Sequence, residues 1–452
     1  MNINLFGQTV LISICTLGIG LTVFLATRIR QLYLMQALGI ALLLALTIQS
    51  ATAEITTSPD ELPTLFLLIV LPFALSLCLP WALWQNRRHG KKIPRKRLWK
   101  SRFIYVTSVV NVLTCLLLGV LLINGYFRYY PTPASFLGVD DAGSLNPNGQ
   151  VVLQYKATNH TPTPSQTLES YLYGQASNVP TDGKLYSLVI PGTTSKFHTR
   201  PGWVYIPAIA ATDTGALKLP VLVLLSGYPG SPNDWLNGVG LLTTLNSFAK
   251  VHHGITPLVF VVDTTGSQLN DTECVNSPHG NVETYLAKDV PDYIQSHFPV
   301  SENPINWAVG GISMGGMCSV MLTLLHSNTY HYFVNISGEI GPDIGGQAQT
   351  TQALFGGSTT AWQAHQSELL LQAHTYSGLG GYLGSGRNDS PDIIFAKRQI
   401  YAEAKQAGLD VVLESVDGHH SFDVFSQIFK DSLPWVSNRV GATICSGSTT
   451  CN

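Results

Sequence analysis

Residues 310–316 read Gly-Gly-Ile-Ser-Met-Gly-Gly, with an apolar run from Ile305 to Val309 before them and a helix-like stretch from Met317 to Leu325 after them. A serine flanked by Gly311 and Gly315 at the spacing G-x-S-x-G, between a strand and a helix, is what a nucleophile elbow requires. The chain turns sharply, the hydroxyl of Ser313 stands at the apex, and larger side chains at the flanks would collide with the neighbouring strand and helix. A serine hydroxyl is a weak nucleophile at neutral pH. It needs a histidine to take its proton and a carboxylate to hold the tautomer of that histidine.

Past the serine, the chain offers Gly384-Ser-Gly-Arg-Asn-Asp389-Ser-Pro and Asp417-Gly-His419-His420-Ser-Phe-Asp423, each in a loop after an apolar strand. Functional groups collect at such strand ends. Asp389 is the preferred acid. Glu339 and Asp343 are rivals, whereas Asp392 lies too close to the following helix. His419 and His420 compete as the base, because adjacent residues point in different directions and only one can face the serine. Two backbone amides must meet the oxyanion that forms on attack. Met314, directly after the serine, supplies one. Tyr228 is the natural second donor, in the loop Ser226-Gly-Tyr-Pro-Gly-Ser-Pro-Asn-Asp-Trp235, where Pro229 and Pro232 have no amide hydrogen to offer. The pairs His252–His253 and His419–His420 lack accompanying carboxylate spacing, and no Cys/His spacing resembles a zinc site, so neither metal nor cofactor is expected.

The elements that must position these groups alternate between strands and helices. Leu185–Ile190 and Trp203–Ile206 read as an opening antiparallel pair, and Pro220–Leu225 as a strand buried on both faces. A helix over Trp235–Lys250, a strand at Leu258–Val262 and a helix over Val282–Phe298 lead to the elbow. Beyond it come strands at Tyr332–Ile336, Tyr382–Ser385 and Val411–Ser415, with helices at Ile393–Ala407 and Phe422–Leu433. This order predicts an α/β fold with a doubly wound, mostly parallel sheet over residues 184–437. Residues 338–378, rich in Gly, Gln, Thr and Ala, read as an irregular insertion where a lid would sit. Asp263, Asp271 and Glu273 fall in a strand-end loop beside it with no role assigned.

Upstream the composition changes. Four apolar runs, Leu5–Ala26, Leu32–Ile48, Pro63–Trp84 and Phe103–Phe127, carry no charged residue in their interiors, and each has about the 20 residues that a membrane-spanning helix needs. The first lacks a basic leader and a small-residue cleavage site, so it reads as a span rather than a signal peptide. Nine Lys or Arg residues lie in 87–102, and Arg28 with Arg30 between the first two runs, whereas Glu54, Asp60 and Glu61 lie between the second and third. The positive-inside rule places the basic loops in the cytoplasm and everything after the fourth span outside. The basic loop shows no nucleic-acid recognition fold, and topology with lipid head groups accounts for its charge better than nucleic acid as a partner.

Residues 1–124 hold 11 basic and 3 acidic residues, and residues 125–452 hold 14 and 24. An outer domain that acidic is not drawn to an anionic bilayer by charge, so the spans tether it. The expected organisation is a four-span region (1–127), a Pro/Thr/Ser-rich stalk (128–183) with one loose strand at Val151–Tyr155, the catalytic domain (184–437) and a tail (438–452). Cys15, Cys78 and Cys115 lie in the spans. Cys274, Cys318, Cys445 and Cys451 lie in a compartment that permits disulfides, with three pairings open and Cys445–Cys451 a candidate.

The runs Arg200-Pro-Gly-Trp-Val-Tyr-Ile-Pro207, Leu-Leu-Ser-Gly-Tyr-Pro-Gly-Ser231, Gly-Ile-Ser-Met-Gly-Gly316, Gly-Arg-Asn-Asp-Ser390 and Gly-His-His-Ser-Phe-Asp423 resemble the Putative esterase family of α/β-hydrolases, which includes esterase D, feruloyl esterases and mycolyltransferases. The likeness covers residues 184–437. The family's histidine stands before a small polar residue and an aromatic, a pattern that falls on His420-Ser421-Phe422 and implies His420 over His419. Its esterase acid falls on Asp389. Ser226 stands where many relatives carry His. The resemblance implies a serine esterase using Ser313, His420 and Asp389, free of cofactor, and the spans favour a lipid or cell-envelope ester as substrate, such as an aminoacyl ester of a phospholipid or an acyl glycolipid. Acyl transfer to a sugar or lipid hydroxyl is the alternative activity, and a non-catalytic envelope binding protein is a second.

Overall fold

The computed structural model describes residues 8–55, 64–88, 98–130, 181–211 and 218–443. The stalk strand at Val151–Tyr155 and the Cys445–Cys451 pairing lie outside the described residues. The chain divides into two compact units, Met1–Val139 and Asp140–Asn452.

The first unit holds four helices: α1 (Gln8–Ala26), α2 (Gln31–Ile55), α3 (Thr64–Arg88) and α4 (Leu98–Phe127). Small residues recur every fourth position where α2 meets α3: Ala37, Ala41 and Ala45 on one, Ala74, Cys78 and Ala82 on the other, all buried. Such a stripe lets two helix backbones approach closely. The outward positions are apolar too, including Met35, Leu38, Leu42, Leu43 and Leu46 on α2. Among the described residues, one segment, Phe103–Gly125 within α4, is long and apolar enough to cross a membrane. The apolar stretches of the others, Ile12–Ala26, Gln31–Thr47 and Val70–Gln85, are shorter. The ends of α2 and α3 turn polar, with Gln49, Ser50 and Glu54 on one and Gln85, Arg87 and Arg88 on the other.

The second unit is built on an eight-stranded sheet. Its elements are β1 (Lys184–Leu188), β2 (Gly202–Ile206), β3 (Val221–Leu225), α5 (Asn233–Asn237), α6 (Leu241–Val251) and β4 (Leu258–Val262). A two-residue hairpin, β5 (Asn276–Ser277) and β6 (Gly280–Asn281), precedes α7 (Val282–Thr284) and α8 (Val290–His297). Then come β7 (Trp307–Ile312), α9 (Met314–Leu325), β8 (Tyr332–Ile336), α10 (Gln347–Leu354), α11 (Thr359–Gln363) and α12 (Ser367–Ala373). The last elements are β9 (Gly380–Gly386), α13 (Pro391–Gln406), β10 (Asp410–Val416) and α14 (Phe422–Arg439).

The sheet order is β1-β2-β4-β3-β7-β8-β9-β10. β2 pairs antiparallel with β1 and β4, and every pair from β4 to β10 is parallel. The winding of the sheet reverses about β3, whose successor β4 lies on one side while β7 lies on the other. The loops after β3 and β7 therefore diverge and leave a crevice at the carboxyl ends of the strands. β3, β4, β7 and β8 are buried at every position, as expected for strands covered on both faces. α9 is buried from Met314 to Leu324, packing its methionines into one core and Val320 and Leu324 into another. Its uniform apolarity reflects burial inside the protein.

Three readings change in detail. The single helix expected over Trp235–Lys250 is two, because Gly240 enters α6 at φ 73°, a left-handed conformation that glycine tolerates. The helix over Val282–Phe298 carries a π turn at Tyr285–Asp289 between α7 and α8. The insertion 338–378 contains the short helices α10, α11 and α12 rather than irregular chain.

Candidate active site

Ser313 stands between β7 and α9 with φ 54° and ψ −125°, a strained conformation for a residue with a β-carbon. The surroundings determine it. The Ser313 amide donates to Ile336 O (2.8 Å), and its carbonyl accepts from the amides of Gly316 (2.8 Å) and Met317 (3.1 Å). A β-carbon on Gly315 would lie 2.5 Å from Leu225 O and 2.7 Å from Ser226 O, and one on Gly311 would strike the Gly315 backbone. The glycines of the motif let the elbow close against the end of β3.

His420 lies in the loop after β10, and Asp389 in the loop after β9. His420 Nε2 is 3.1 Å from Ser313 Oγ, and His420 Nδ1 is 3.0 Å from Asp389 Oδ1. With Nδ1–H donating to the carboxylate, Nε2 is an acceptor for the serine hydroxyl. The Asp389 side chain is fully buried, and its Oδ1 also accepts from the Ser390 amide at 2.9 Å. Burial pushes the Asp389 carboxyl up, but the hydrogen bond and charge of His420 outweigh it and hold the group below the usual aspartate value. Phe425 packs edge-on against the His420 ring, with centroids 4.9 Å apart.

The rival residues are engaged elsewhere. His419 is exposed, its Nδ1 2.9 Å from Asn388 O. Asp343 accepts from the Gly345 amide (2.9 Å) and the Thr350 hydroxyl (3.2 Å) in a turn of the insertion. Asp392 sits in the first turn of α13. Glu339 lies beside the buried carboxyl of Glu273.

Tyr228 and Met314 flank the serine from the loop after β3 and the start of α9. A β-carbon on Gly227 would lie 3.0 Å from Ser313 Cβ and 3.2 Å from Ile312 O, so the loop carrying Tyr228 passes directly over the elbow. The Met314 amide opens α9, where first-turn amides have no acceptor within their own helix.

Sequence reasoning leaves three features around this centre unresolved, the cysteine pairing open among three and the other residues without a role. The first is a disulfide between Cys274 and Cys318, with Cα atoms 5.9 Å apart, which ties the loop after β4 to α9. Next to it, Glu273 is buried and its carboxyl is pushed well up by desolvation and by neighbouring Asp271 and Glu339. The second is Glu283 on α7, which takes His326 Nε2 (2.9 Å) on one oxygen and His365 Nε2 (3.1 Å) on the other. Burial opposes its ionisation, but the two histidines win and bring it down to about 2. The third is the pair Arg200–Asp263, with Arg200 Nη2 2.7 Å from Asp263 Oδ1. Each joins residues at least 43 positions apart, beyond the reach of local pattern.

A serine at a strand–helix elbow on this sheet, in line with a histidine and a buried acid, defines a serine ester hydrolase of the α/β-hydrolase fold. The family described as Putative esterase matches residues 200–436, and the chain belongs to it. An uncharacterised protein of Corynebacterium glutamicum is 33% identical over 354 residues, covering 77% of this chain and 79% of its own. An acetyl esterase of Caldicellulosiruptor saccharolyticus is 22% identical over 242 residues, 50% of this chain and 86% of its own. A solved ferulic acid esterase shares the fold, with a TM-score of 0.50 and 15% identity over 57% of this chain and 99% of its own.

Proposed function

We propose that this chain is a membrane-anchored, extracytoplasmic esterase that hydrolyses a lipid or cell-envelope ester. The observation that carries the catalytic part is the position of His420, 3.1 Å from Ser313 Oγ and 3.0 Å from Asp389 Oδ1. Ser313 attacks the ester carbonyl as His420 Nε2 takes its proton. Asp389 holds the His420 tautomer and stabilises the imidazolium that forms. The amides of Tyr228 and Met314 donate to the oxyanion of the tetrahedral intermediate. His420 then protonates the departing alcohol, and the acyl group remains on Ser313. Water, deprotonated by the same histidine, releases the acid and restores the serine.

Three observations support the anchored, outward placement. The helices α1–α4 carry apolar side chains outward as well as inward, and the Phe103–Gly125 segment meets the requirements for crossing a bilayer. The basic loop 87–102 sits on the cytoplasmic side under the positive-inside rule. The Cys274–Cys318 disulfide suits an oxidising compartment. A catalytic domain tethered this way meets lipid and envelope esters at high local concentration, which is the basis for the substrate class. The test is comparative lipidomics of envelope extracts from cells carrying the wild-type chain or Ser313→Ala. The reading expects an ester-linked lipid or glycolipid to accumulate in the variant. Identical lipid profiles, with the wild-type protein active on soluble esters, would contradict the substrate class.

A further inference from the structure

Arg200 precedes β2 and touches neither Ser313, His420 nor Asp389, yet its side chain reaches the loop that carries Tyr228. Its backbone amide donates to Asp263 Oδ2 at 2.7 Å and its Nε to the same oxygen at 3.1 Å. Nη2 shares its two hydrogens among Asp263 Oδ1 (2.7 Å), the Thr265 hydroxyl (2.6 Å) and the carbonyl of Gly230 (2.9 Å). We propose that Arg200, locked by Asp263, is a positioning residue that sets the Tyr228 amide at the oxyanion site. The proposal rests on the oxyanion role given to that amide above.

The anchor is rigid for a physical reason. Asp263 directly follows β4, its side chain has no solvent exposure, and it also accepts from the amides of Thr265 (3.3 Å) and Gly266 (3.1 Å). A buried carboxylate is expensive unless it is paired and hydrogen-bonded, so Asp263 and Arg200 stabilise one another in a single arrangement. The guanidinium is a planar fork that can meet a carboxylate with two groups and still direct a hydrogen at a third acceptor. That third acceptor is Gly230 O, two residues beyond Tyr228.

The loop needs such an anchor. Around Tyr228 its other hydrogen bonds are local, Ser226 Oγ to Ser231 O at 2.7 Å and the Ser231 amide to Asp234 Oδ2 at 2.9 Å, and the next long-range one, Trp203 Nε1 to Asn233 Oδ1 at 3.0 Å, falls five residues beyond Tyr228. These shape the turn but do not fix its distance from the serine. The Arg200–Gly230 bond carries the register of β4, held by Asp263, across to the loop after β3. A displacement of about 1 Å at a catalytic donor is enough to lower a rate on the order of a hundredfold.

The test uses the full-length chain in detergent micelles with a p-nitrophenyl ester. Arg200→Lys keeps the positive charge against Asp263 but loses the fork. The expected result is a kcat lower by about 10- to 100-fold with KM within about threefold, since the hole acts on the transition state. Amide exchange in residues 226–232 should quicken. Affinity for a trifluoromethyl ketone, which forms a tetrahedral adduct with the serine, should fall by the same factor as kcat/KM, while affinity for the product acid stays unchanged. Methylguanidinium should restore part of the kcat of Arg200→Ala, because the site is partly open to solvent. If Arg200→Ala does not fold, Arg200→Lys alone carries the exchange and affinity comparisons. Unchanged exchange in 226–232 for Arg200→Lys overturns the anchoring role. Faster exchange with unchanged trifluoromethyl ketone affinity overturns the oxyanion role of Tyr228 instead.

Discussion

Replacing Asp389 with Asn keeps the shape of the side chain and removes its charge. The carboxylate oxygen lies 3.0 Å from His420 Nδ1, which puts the charge centres of carboxylate and developing imidazolium about 4 Å apart. At an effective dielectric of about 20, two unit charges at that separation interact by about 4 kcal/mol. The interaction is absent while His420 is neutral and present once it has taken the serine proton, so nearly all of it acts on the transition state. At about 1.4 kcal/mol per decade, Asp389→Asn should lower kcat/KM about a thousandfold. The assay is p-nitrophenyl ester hydrolysis by the full-length protein, with circular dichroism and thermal melting to confirm the fold. KM should stay within a few-fold, and fluorophosphonate labelling of Ser313 should slow in parallel. Retention of more than a tenth of the activity by Asp389→Asn would refute the reasoning. A thousandfold loss in Glu339→Gln instead would move the orienting acid to the insertion.

Other predictions follow from the packing and charge around the site. Gly227→Ala puts a methyl 3.0 Å from Ser313 Cβ, so activity should drop at least tenfold while the melting temperature moves little, measured side by side on one preparation. Removing both Cys274 and Cys318 opens a 44-residue loop, which chain entropy values at about 4 kcal/mol, so calorimetry should show a melting temperature about 10 °C lower. The Glu283 carboxylate, brought down to about 2 by its histidines, contributes stability that is full above about pH 4.5 and lost as the pH falls towards 2. His365, raised from its ordinary value by the same pair despite its burial, contributes stability that is full below about pH 6.5 and lost as the pH rises through its raised value. Glu283→Gln should therefore cost about 2 kcal/mol near pH 5.5 and less at either extreme, read by urea unfolding against pH. Burial pushes Glu414 up to about 7, so its ionisation weakens the fold as the pH rises from about 4.5 through 7. Glu414→Gln should raise stability at pH 8 by on the order of 1 kcal/mol, after allowing for solvent screening, and leave it unchanged at pH 4, again by urea unfolding.

The parts of the fold legible in the sequence are those whose cause is local. Continuous apolar runs such as Val221–Leu225 became buried parallel strands, and the glycines around Ser313 marked a turn that only small residues permit. The choice between His419 and His420 was not local. The two share a loop, and the residues alone left them open until the family pattern of Ser421 and Phe422 favoured His420. In the structure, His420 faces the serine while His419 turns to Asn388 O. The break at Gly238–Gly240 and the π turn at Tyr285–Asp289 were missed because an amphipathic pattern tolerates both without losing its period. Asp263, Cys274 and Glu283 gained partners only in three dimensions, since Arg200, Cys318, His326 and His365 approach them through the sheet topology and not along the chain.

The central claim is that Ser313 carries the acyl group during turnover, and trapping that intermediate tests it most directly. The full-length protein is mixed with excess p-nitrophenyl ester, quenched in acid within the first turnover, digested and sequenced by mass spectrometry. The account predicts one acyl adduct, on the peptide containing Ser313, absent from Ser313→Ala and formed at least a thousandfold more slowly in His420→Ala. An adduct on another residue, or undiminished hydrolysis by Ser313→Ala, would contradict it.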